Sequence, residues 1–329
     1  MDGLITTPEE ESCLDSFRDG TSPGSDGLTT KFYKVYFYLI GDALTRVHNK
    51  ALEEGNLSVT QREGIITIFQ KPDSDGRLIK NYRPITLLNL DYKILAKCFS
   101  NRIQKVVDKL IGPEQSYARK SNSLQDSVLL LRGVFHYCKS RSISGLFLSL
   151  DLEKAFDRIS HEFIWCVLEK MNFSSGFRNN IKTLYTNCTS RVLINGHLSD
   201  PFQIKRSVRQ GCPLSPTIFI LVIESLITRI KYDHSISTIA IPGFNTPKVA
   251  GYADDNTLIL KDTRSAIRAM DTYDIFGEAS NAKVNIDKSK VMKLGGLSKD
   301  IAAPRDMQFS VELKTLGIIT GYFDHRKRL

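Results

Sequence analysis

The sequence predicts a mixed α/β protein, and three observations carry that prediction. Long stretches repeat apolar residues at helical spacing. Short runs rich in β-branched and aromatic residues are bounded by glycine, proline and aspartate. Two pairs of such runs are joined by turn-forming residues, one pair around Asn195-Gly196 and the other around Ala253-Asp254-Asp255-Asn256.

Taken in order, Ser22-Pro23-Gly24-Ser25-Asp26-Gly27 is a turn-rich loop. A helix is expected from about Thr29 to Glu54, with Phe32, Tyr36, Leu39, Ile40, Leu44, Val47 and Ala51 at helical spacing and Gly55 placed as a C-terminal cap. Gly64 to Phe69 reads as a strand, stopped by Lys71-Pro72 and the turn Asp73-Ser74-Asp75-Gly76. Asn81 to Ile85 is extended, because Pro84 disfavours helix at Arg83. The next helix runs from about Asp91 to Leu110 and is ended by Gly112-Pro113. One face carries Leu95, Cys98, Phe99, Ile103, Val106, Val107 and Leu110. Another carries Lys93, Lys97, Arg102, Lys105 and Lys109. That basic stripe suits a phosphate backbone and equally a solvated helix face.

A further helix is expected from about Leu124 to Cys138. Leu146 to Leu150 is nearly all apolar, as a central strand covered on both faces requires, and Asp151 ends it. Ser160 caps a helix that buries Phe163, Ile164, Val167, Leu168 and Met171. Arg191 to Ile194 and Phe202 to Ile204 read as a hairpin, with room for a loop longer than two residues. Ser215-Pro216 opens a helix whose body is Ile218 to Ile230. Val249 to Tyr252 and Thr257 to Leu260 form a second hairpin. A helix from about Thr263 to Phe276, a basic segment from Lys283 to Lys293, and a strand pair (Phe309 to Leu313, Leu316 to Ile319) complete the chain.

Composition narrows the class. The 329 residues are 41% hydrophobic and 25% charged, which excludes a disordered tail or a fibrous repeat and supplies a sizeable core. Lys plus Arg is 45 against 36 Asp plus Glu, a formal charge of +9 that favours polyanionic partners without excluding a plain solvated surface. Cys13, Cys98, Cys138, Cys166, Cys188 and Cys212 are never closer than 22 residues, so neither a zinc site nor a dense disulfide framework is expected. Reduced, mostly buried thiols in an intracellular protein are the expectation. The opening MDGLITTPEEESC is acidic and lacks the apolar core of a signal peptide. The run Ile218 to Ile223 is far short of the roughly 20 residues that span a bilayer, so no membrane partner is expected.

The informative oddity is acid at the ends of apolar strands: Asp151 after one, Asp254 and Asp255 at a hairpin tip with apolar arms. A carboxylate beside a buried strand is costly unless hydrogen bonded or metal bound. If these strands are neighbours, Asp151 and Asp254 converge and suit a pair of divalent ions about 3.5–4 Å apart, the arrangement for in-line phosphoryl transfer. Mg²⁺ fits, since it takes oxygen ligands and leaves positions for substrate phosphates. Each acid by itself is also an ordinary turn or cap residue.

The ordered set around these acids resembles a family. Phe147 to Asp157 (FLSLDLEKAFD), Arg209 to Pro216 (RQGCPLSP) and Gly251 to Leu258 (GYADDNTL) resemble the three palm motifs of reverse transcriptases. Asn81 to Leu88 (NYRPITLL) resembles the fingers motif, Ser22 to Leu28 (SPGSDGL) an upstream motif of non-LTR (LINE-type) retrotransposon enzymes, and Thr315 to Ile318 (TLGI) the primer-grip hairpin. The resemblance implies a right-hand polymerase of fingers and palm, with an antiparallel palm sheet of split βαβ type and flanking helices. Expected boundaries are an N-terminal extension over 1–55 and a reverse transcriptase domain over 56–329. Within the latter, fingers are expected at about 56–144 and 160–205 and palm at about 145–159 and 206–329, with the thumb missing.

Residue by residue, the resemblance implies that Asp151, Asp254 and Asp255 are the catalytic carboxylates. Asp151 and Asp254 would ligate two Mg²⁺ ions (Mn²⁺ as an alternative), with the Leu152 carbonyl near a metal and Asp255 as ligand or support. Phe156 occupies the steric-gate position, where an aromatic ring fills the space a ribose 2′-OH needs. Gln210 and Gly211 would support the incoming nucleotide, Lys71 and Arg83 would grip its triphosphate, and Leu316-Gly317 would form the primer grip. Lys288 would protonate the leaving pyrophosphate, with Lys283 as its rival. The implied partners are an RNA template, a DNA primer and deoxynucleotides. Asn122 stands where the family usually has arginine and Ser207 where it usually has glycine. The implied function is an RNA-directed DNA polymerase domain. The alternatives are an inactive relic or nucleic-acid-binding module of the same fold, and an RNA-dependent RNA polymerase, which Phe156 at the gate argues against.

Overall fold

The computed structural model describes residues 1–117, 123–295, 303–315 and 318–321. The chain opens with α1 (Thr7–Asp15), α2 (Thr30–Glu54), α3 (Val59–Arg62), β1 (Glu63–Gln70) and β2 (Tyr82–Leu88). It continues through α4 (Leu90–Gln104), α5 (Val107–Leu110), α6 (Leu124–Arg141), β3 (Gly145–Leu152), α7 (Ala155–Arg158), α8 (His161–Lys170) and α9 (Ser175–Thr183). Then come β4 (Thr189–Ile194), β5 (His197–Leu198), β6 (Phe202–Gln203), α10 (Ser215–Tyr232), β7 (Val249–Tyr252) and β8 (Asp255–Leu260). The last elements are α11 (Thr263–Ser280), β9 (Val284–Leu294), β10 (Glu312–Thr315) and β11 (Ile318–Gly321). The fold is therefore mixed α/β, as expected. It divides into two compact units, Met1–Val106 with Ile159–Phe219, and Val107–Arg158 with Ile220–Leu329.

In the first unit, a mixed sheet runs β2-β1-β4-β5, with β6 also on β4. β1 pairs antiparallel with β2 and parallel with β4. The long helix α2 forms where expected and ends in a left-handed Gly55 cap. Of its expected apolar positions, Ala51 is buried and Phe32, Ile40 and Leu44 pack half-buried against the core, but the fully buried face includes other residues. Tyr33, Phe37, Gly41, Thr45, His48 and Ala51 face inward, whereas Tyr36, Leu39 and Val47 are exposed. The cause is α1, a helix not expected from the sequence. Its Glu10 is buried and accepts from Thr45 Oγ1 at 2.8 Å, and it lies 2.5 Å from His48 Nδ1. A buried carboxylate demands such partners, so polar residues that a periodicity count assigns to the surface turn inward.

The helix expected to reach Leu110 stops at Gln104. The Val106 N–H closes on Ile103 O three residues back, ending the α ladder before the separate turn of α5. Arg102, expected on a solvated basic stripe, is buried. It forks onto Glu9 at 2.7 and 2.6 Å and donates to the carbonyls of Met1, Gly3 and Leu4, anchoring the N-terminal segment.

In the second unit, the sheet runs β7-β8-β3-β9 with antiparallel pairing throughout. β3 is central, and both its faces are buried, as its apolar run implies. Phe147 sits between Ile259 and Met292 in one cross-strand row, beneath Leu131, Val134, Phe135 and Cys138 of α6. Leu146, Leu148 and Leu150 bury the opposite face. The basic segment before residue 294 is itself a strand, β9, whose alternation a bulge interrupts. The final hairpin pairs Leu313 with Thr320, so its strands lie further along the chain than expected, and Phe309 instead bridges Val291. Among the described residues, no helix is long and apolar enough to cross a membrane.

Candidate active site

The register of the second sheet brings the acids together. Leu150 of β3 faces Asn256 of β8, which sets Asp151 level with Asp255 on the adjacent strand. Tyr252 pairs with Asp255, so Ala253 and Asp254 alone form the turn of the β7–β8 hairpin. Asp151 is half-buried, while Asp254 and Asp255 keep a solvent-exposed side. The surrounding protein raises the Asp255 carboxyl above its ordinary carboxylate range, and the negative charges of Asp254 and Asp151 raise it further. Asp255 thus lies within electrostatic reach of both Asp254 and Asp151.

That arrangement tests whether a divalent ion fits. Crowded carboxylates raise one another's proton affinity, and a cation among them removes the repulsion. Mg²⁺ typically takes only one or two protein carboxylates and fills its remaining positions with water and substrate phosphate. Among the described residues, no group of three or more His, Cys, Asp or Glu side chains is disposed to hold a metal. Carboxylate oxygens are the donor type that a hard divalent cation takes.

The bulge in β9 sits against the same acid. Asp151 pairs with Asn285 and Ser149 with Lys290, so residues 286–289 of β9 span one position of β3. Ser289, buried inside the bulge, accepts from the Asp151 N–H at 3.1 Å and donates to Asn285 O at 2.7 Å. Ile286, Asp287 and Lys288 are pushed outward and exposed. Lys288 has no ion-pair partner among the described residues, whereas Lys283 Nζ lies 3.9 Å from Glu153 and its carbonyl accepts the Glu153 N–H at 2.8 Å.

Beyond β3 the chain reverses sharply. Lys154 takes φ +47, and the short α7 presents a half-buried Phe156. Arg158 and Asn281 exchange two hydrogen bonds, 3.1 and 3.0 Å, fixing this turn to the C-terminal cap of α11. Leu152, buried at the end of β3, pairs with Val284.

Lys71, Arg83, Gln210 and Gly211 belong to the first unit. Arg83 is exposed on β2 opposite Phe69. Lys71 follows β1 and donates to Lys80 O at 2.9 Å. The Gln210 carbonyl accepts the Thr86 N–H at 2.7 Å, and Gly211 takes φ +116 where any Cβ would collide with Thr86 O. Leu316 and Gly317, like Asn122, lie outside the described residues.

Residues 69–320 match the family model described as reverse transcriptase (RNA-dependent DNA polymerase), a span containing every candidate residue. The chain belongs to the reverse transcriptase family. This reverse transcriptase chain is 34% identical, over 97% of its length, to the transposon TX1 uncharacterized 149 kDa protein of Xenopus laevis, covering 24% of that protein. It is 27% identical over 92% of its length to a retrovirus-related Pol polyprotein from the type-1 retrotransposable element R2 of Popillia japonica, covering 41% of it. It is 21% identical over 86% of its length to the RNA-directed DNA polymerase from mobile element jockey of Drosophila melanogaster, covering 31% of that enzyme. The relatives are non-LTR retrotransposon proteins, and the chain spans less than half the length of each.

Sequence reasoning assigned no individual role to two residues that bond the backbone beside the acids, Ser289 and Gln115. Both bond backbone atoms across 138 residues of chain. Neither periodicity nor local motif reports such a contact. The one available hint for Ser289 is a small hydroxyl between two lysines.

Proposed function

We propose that this chain is the polymerase core of a non-LTR retrotransposon protein, extending a primer 3′-OH with deoxynucleotides on an RNA template. The observation that carries the reading is the strand register that sets Asp151 level with Asp255, next to the Ala253-Asp254 turn, with Asp255 feeling the charge of both other acids.

In this reading, Asp151 and Asp254, with the Leu152 carbonyl, hold Mg²⁺ or Mn²⁺, and Asp255 supports them. The bound ions supply Lewis-acid activation of the attacking hydroxyl and charge neutralisation at the pyrophosphate. The protein's own groups do the rest. Phe156 fills the space beside the sugar 2′ carbon, selecting deoxynucleotides. Gln210 and Gly211 bring backbone close to the incoming nucleotide, and Lys71 and Arg83 hold its phosphate oxygens, Arg83 through a planar fork. Lys288, exposed on the bulge and without an ion-pair partner among the described residues, donates the proton to the departing pyrophosphate in preference to Lys283 beside Glu153. Leu316-Gly317 contacts the primer. The antiparallel β7-β8-β3-β9 sheet serves as the palm, and the β1–β2 hairpin belongs to the fingers.

The test is primer extension on an RNA template with Mg²⁺, comparing the chain with its Asp254→Ala variant. The variant should fall to background. Equal extension by both would remove the carboxylates from catalysis and favour a nucleic-acid-binding role. Binding to RNA should weaken steeply as salt rises if phosphates are the contact.

A further inference from the structure

We infer that Gln115 is the positioning residue for the Asp254 turn, an assignment that rests on the polymerase reading above. Residues 114–116 run parallel to the outer edge of β7, with Gln115 bridged to Gly251. The Gly251 N–H donates to Glu114 O at 2.8 Å, and the Ser116 N–H donates to Gly251 O at 2.9 Å. Glycine permits this close approach: a Cβ at residue 251 would lie 2.5 Å from Asn256 Oδ1 and 3.4 Å from both Gln115 Nε2 and Glu114 O.

The docking delivers the Gln115 side chain, wholly buried, to the hairpin turn. Its Oε1 accepts the Ala253 N–H at 2.9 Å and its Nε2 donates to the Ala253 carbonyl at 3.1 Å. One amide thus saturates both backbone groups of a single residue. Ala253 has φ +56, a left-handed conformation that a Cβ disfavours. Asp254 is the next residue, so the Ala253 dihedrals set the direction in which its carboxylate leaves the turn. Packing of the Tyr117 ring edge against Tyr252, with centroids 5.0 Å apart, steadies the same hairpin from the same segment. A buried, fully satisfied polar contact specifies one arrangement among competitors. Here it selects the strained turn from which the Asp254 side chain departs. Gln115 touches no reacting atom in this account; it acts through Ala253.

The experiment compares the full chain with Gln115→Ala, Gln115→Glu, Ala253→Gly, Asp254→Ala and the double variant Gln115→Ala/Ala253→Gly. Three quantities are read: single-turnover primer extension against deoxynucleotide concentration, calorimetric affinity for Mn²⁺ alone, and amide hydrogen exchange over Tyr252–Asp255. Gln115→Ala should slow maximal extension about tenfold while leaving the half-saturating nucleotide concentration within about twofold, since it misplaces a metal ligand and not the nucleotide site. It should also weaken Mn²⁺ binding and speed exchange at the turn. Gln115→Glu should be at least as impaired, because a second acceptor then faces the Ala253 carbonyl. Glycine adopts φ +56 freely, so the double variant should recover most of the lost rate and affinity.

Wild-type extension, Mn²⁺ affinity and exchange in Gln115→Ala would overturn the assignment. So would a loss that Ala253→Gly leaves unrelieved, which would make Gln115 a packing residue only. If instead Asp254→Ala retains wild-type extension and Mn²⁺ affinity, the polymerase reading fails. Turn exchange in Gln115→Ala then still shows whether the clamp holds the turn.

Discussion

The Ser289 hydroxyl accepts the backbone N–H of Asp151 at 3.1 Å and donates to the Asn285 carbonyl at 2.7 Å, so one side chain stitches the strand bearing Asp151 to the bulge bearing Lys288. Ser289→Ala leaves both backbone groups without that partner and should cost about 1–2 kcal/mol of stability. Extension should slow as well, because Asp151 and Lys288 are positioned by the same bridge. Ser289→Thr keeps the hydroxyl and should behave as wild type. Thermal melting and primer extension on the two variants check this, and a silent alanine variant would dismiss the bridge.

Gly211→Ala should be severe. The residue sits at φ +116 with its missing Cβ aimed at Thr86 O, and the Thr86 N–H to Gln210 O bond prevents the loop from backing away. Overpacking and backbone strain together should cost about 2–4 kcal/mol. Thermal unfolding reads the cost, and the half-saturating deoxynucleotide concentration should rise. A tolerated alanine would show that the loop has room the fold does not suggest.

Ser207→Gly should stabilise the chain. Ser207 holds φ +89, while its N–H donates to Ile159 O at 2.8 Å and its carbonyl lies 2.9 Å from His161 Nε2. Glycine keeps both backbone bonds and removes the Cβ strain, a net gain of about 1 kcal/mol after its greater unfolded-state entropy is counted. A lower denaturation midpoint would assign the serine side chain a stabilising contact.

His161 should make the chain acid-sensitive. Burial holds its pKa below the ordinary histidine value; the Ser207 carbonyl opposes that shift and the Arg209 charge adds to it. Between the unfolded value of about 6.5 and the lowered folded value, the unfolded chain binds the extra proton. Stability is therefore present above about pH 6.5 and is lost as pH falls through that window. His161→Gln should flatten the dependence, read as denaturant midpoints from pH 8 down to pH 5. An unchanged slope would place the acid sensitivity elsewhere.

How much of this was legible in the sequence depends on the range of the interaction. The run Leu146 to Leu150 declared a central strand because its apolar residues leave no polar face, and β3 is central. The acids were legible for the same reason, since charge at the end of such a run is out of place unless it has a task. The polar part of the inward face of α2 was not, because it is set by Glu10, a residue from another helix that pulls Thr45 and His48 inside. Arg102 looked like surface charge until Glu9 and three N-terminal carbonyls were found around it. The strand β9 hid behind its lysines because its bulge breaks the two-residue alternation that marks a strand. Gln115 and Ser289 bond to main-chain atoms, whose positions no side-chain pattern encodes.

The pairing of β3 also dictates when the domain can assemble on the ribosome. Leu146 finds its neighbours at Leu260 on one edge and Lys293 on the other, so both edges of an apolar strand stand open until more than a hundred further residues have been made. At bacterial or eukaryotic elongation rates that wait is roughly 5–25 s, long enough for an uncovered strand to find a wrong partner. Yield from translation should therefore respond to chaperone supply and growth temperature more strongly than the melting point of the finished chain would suggest.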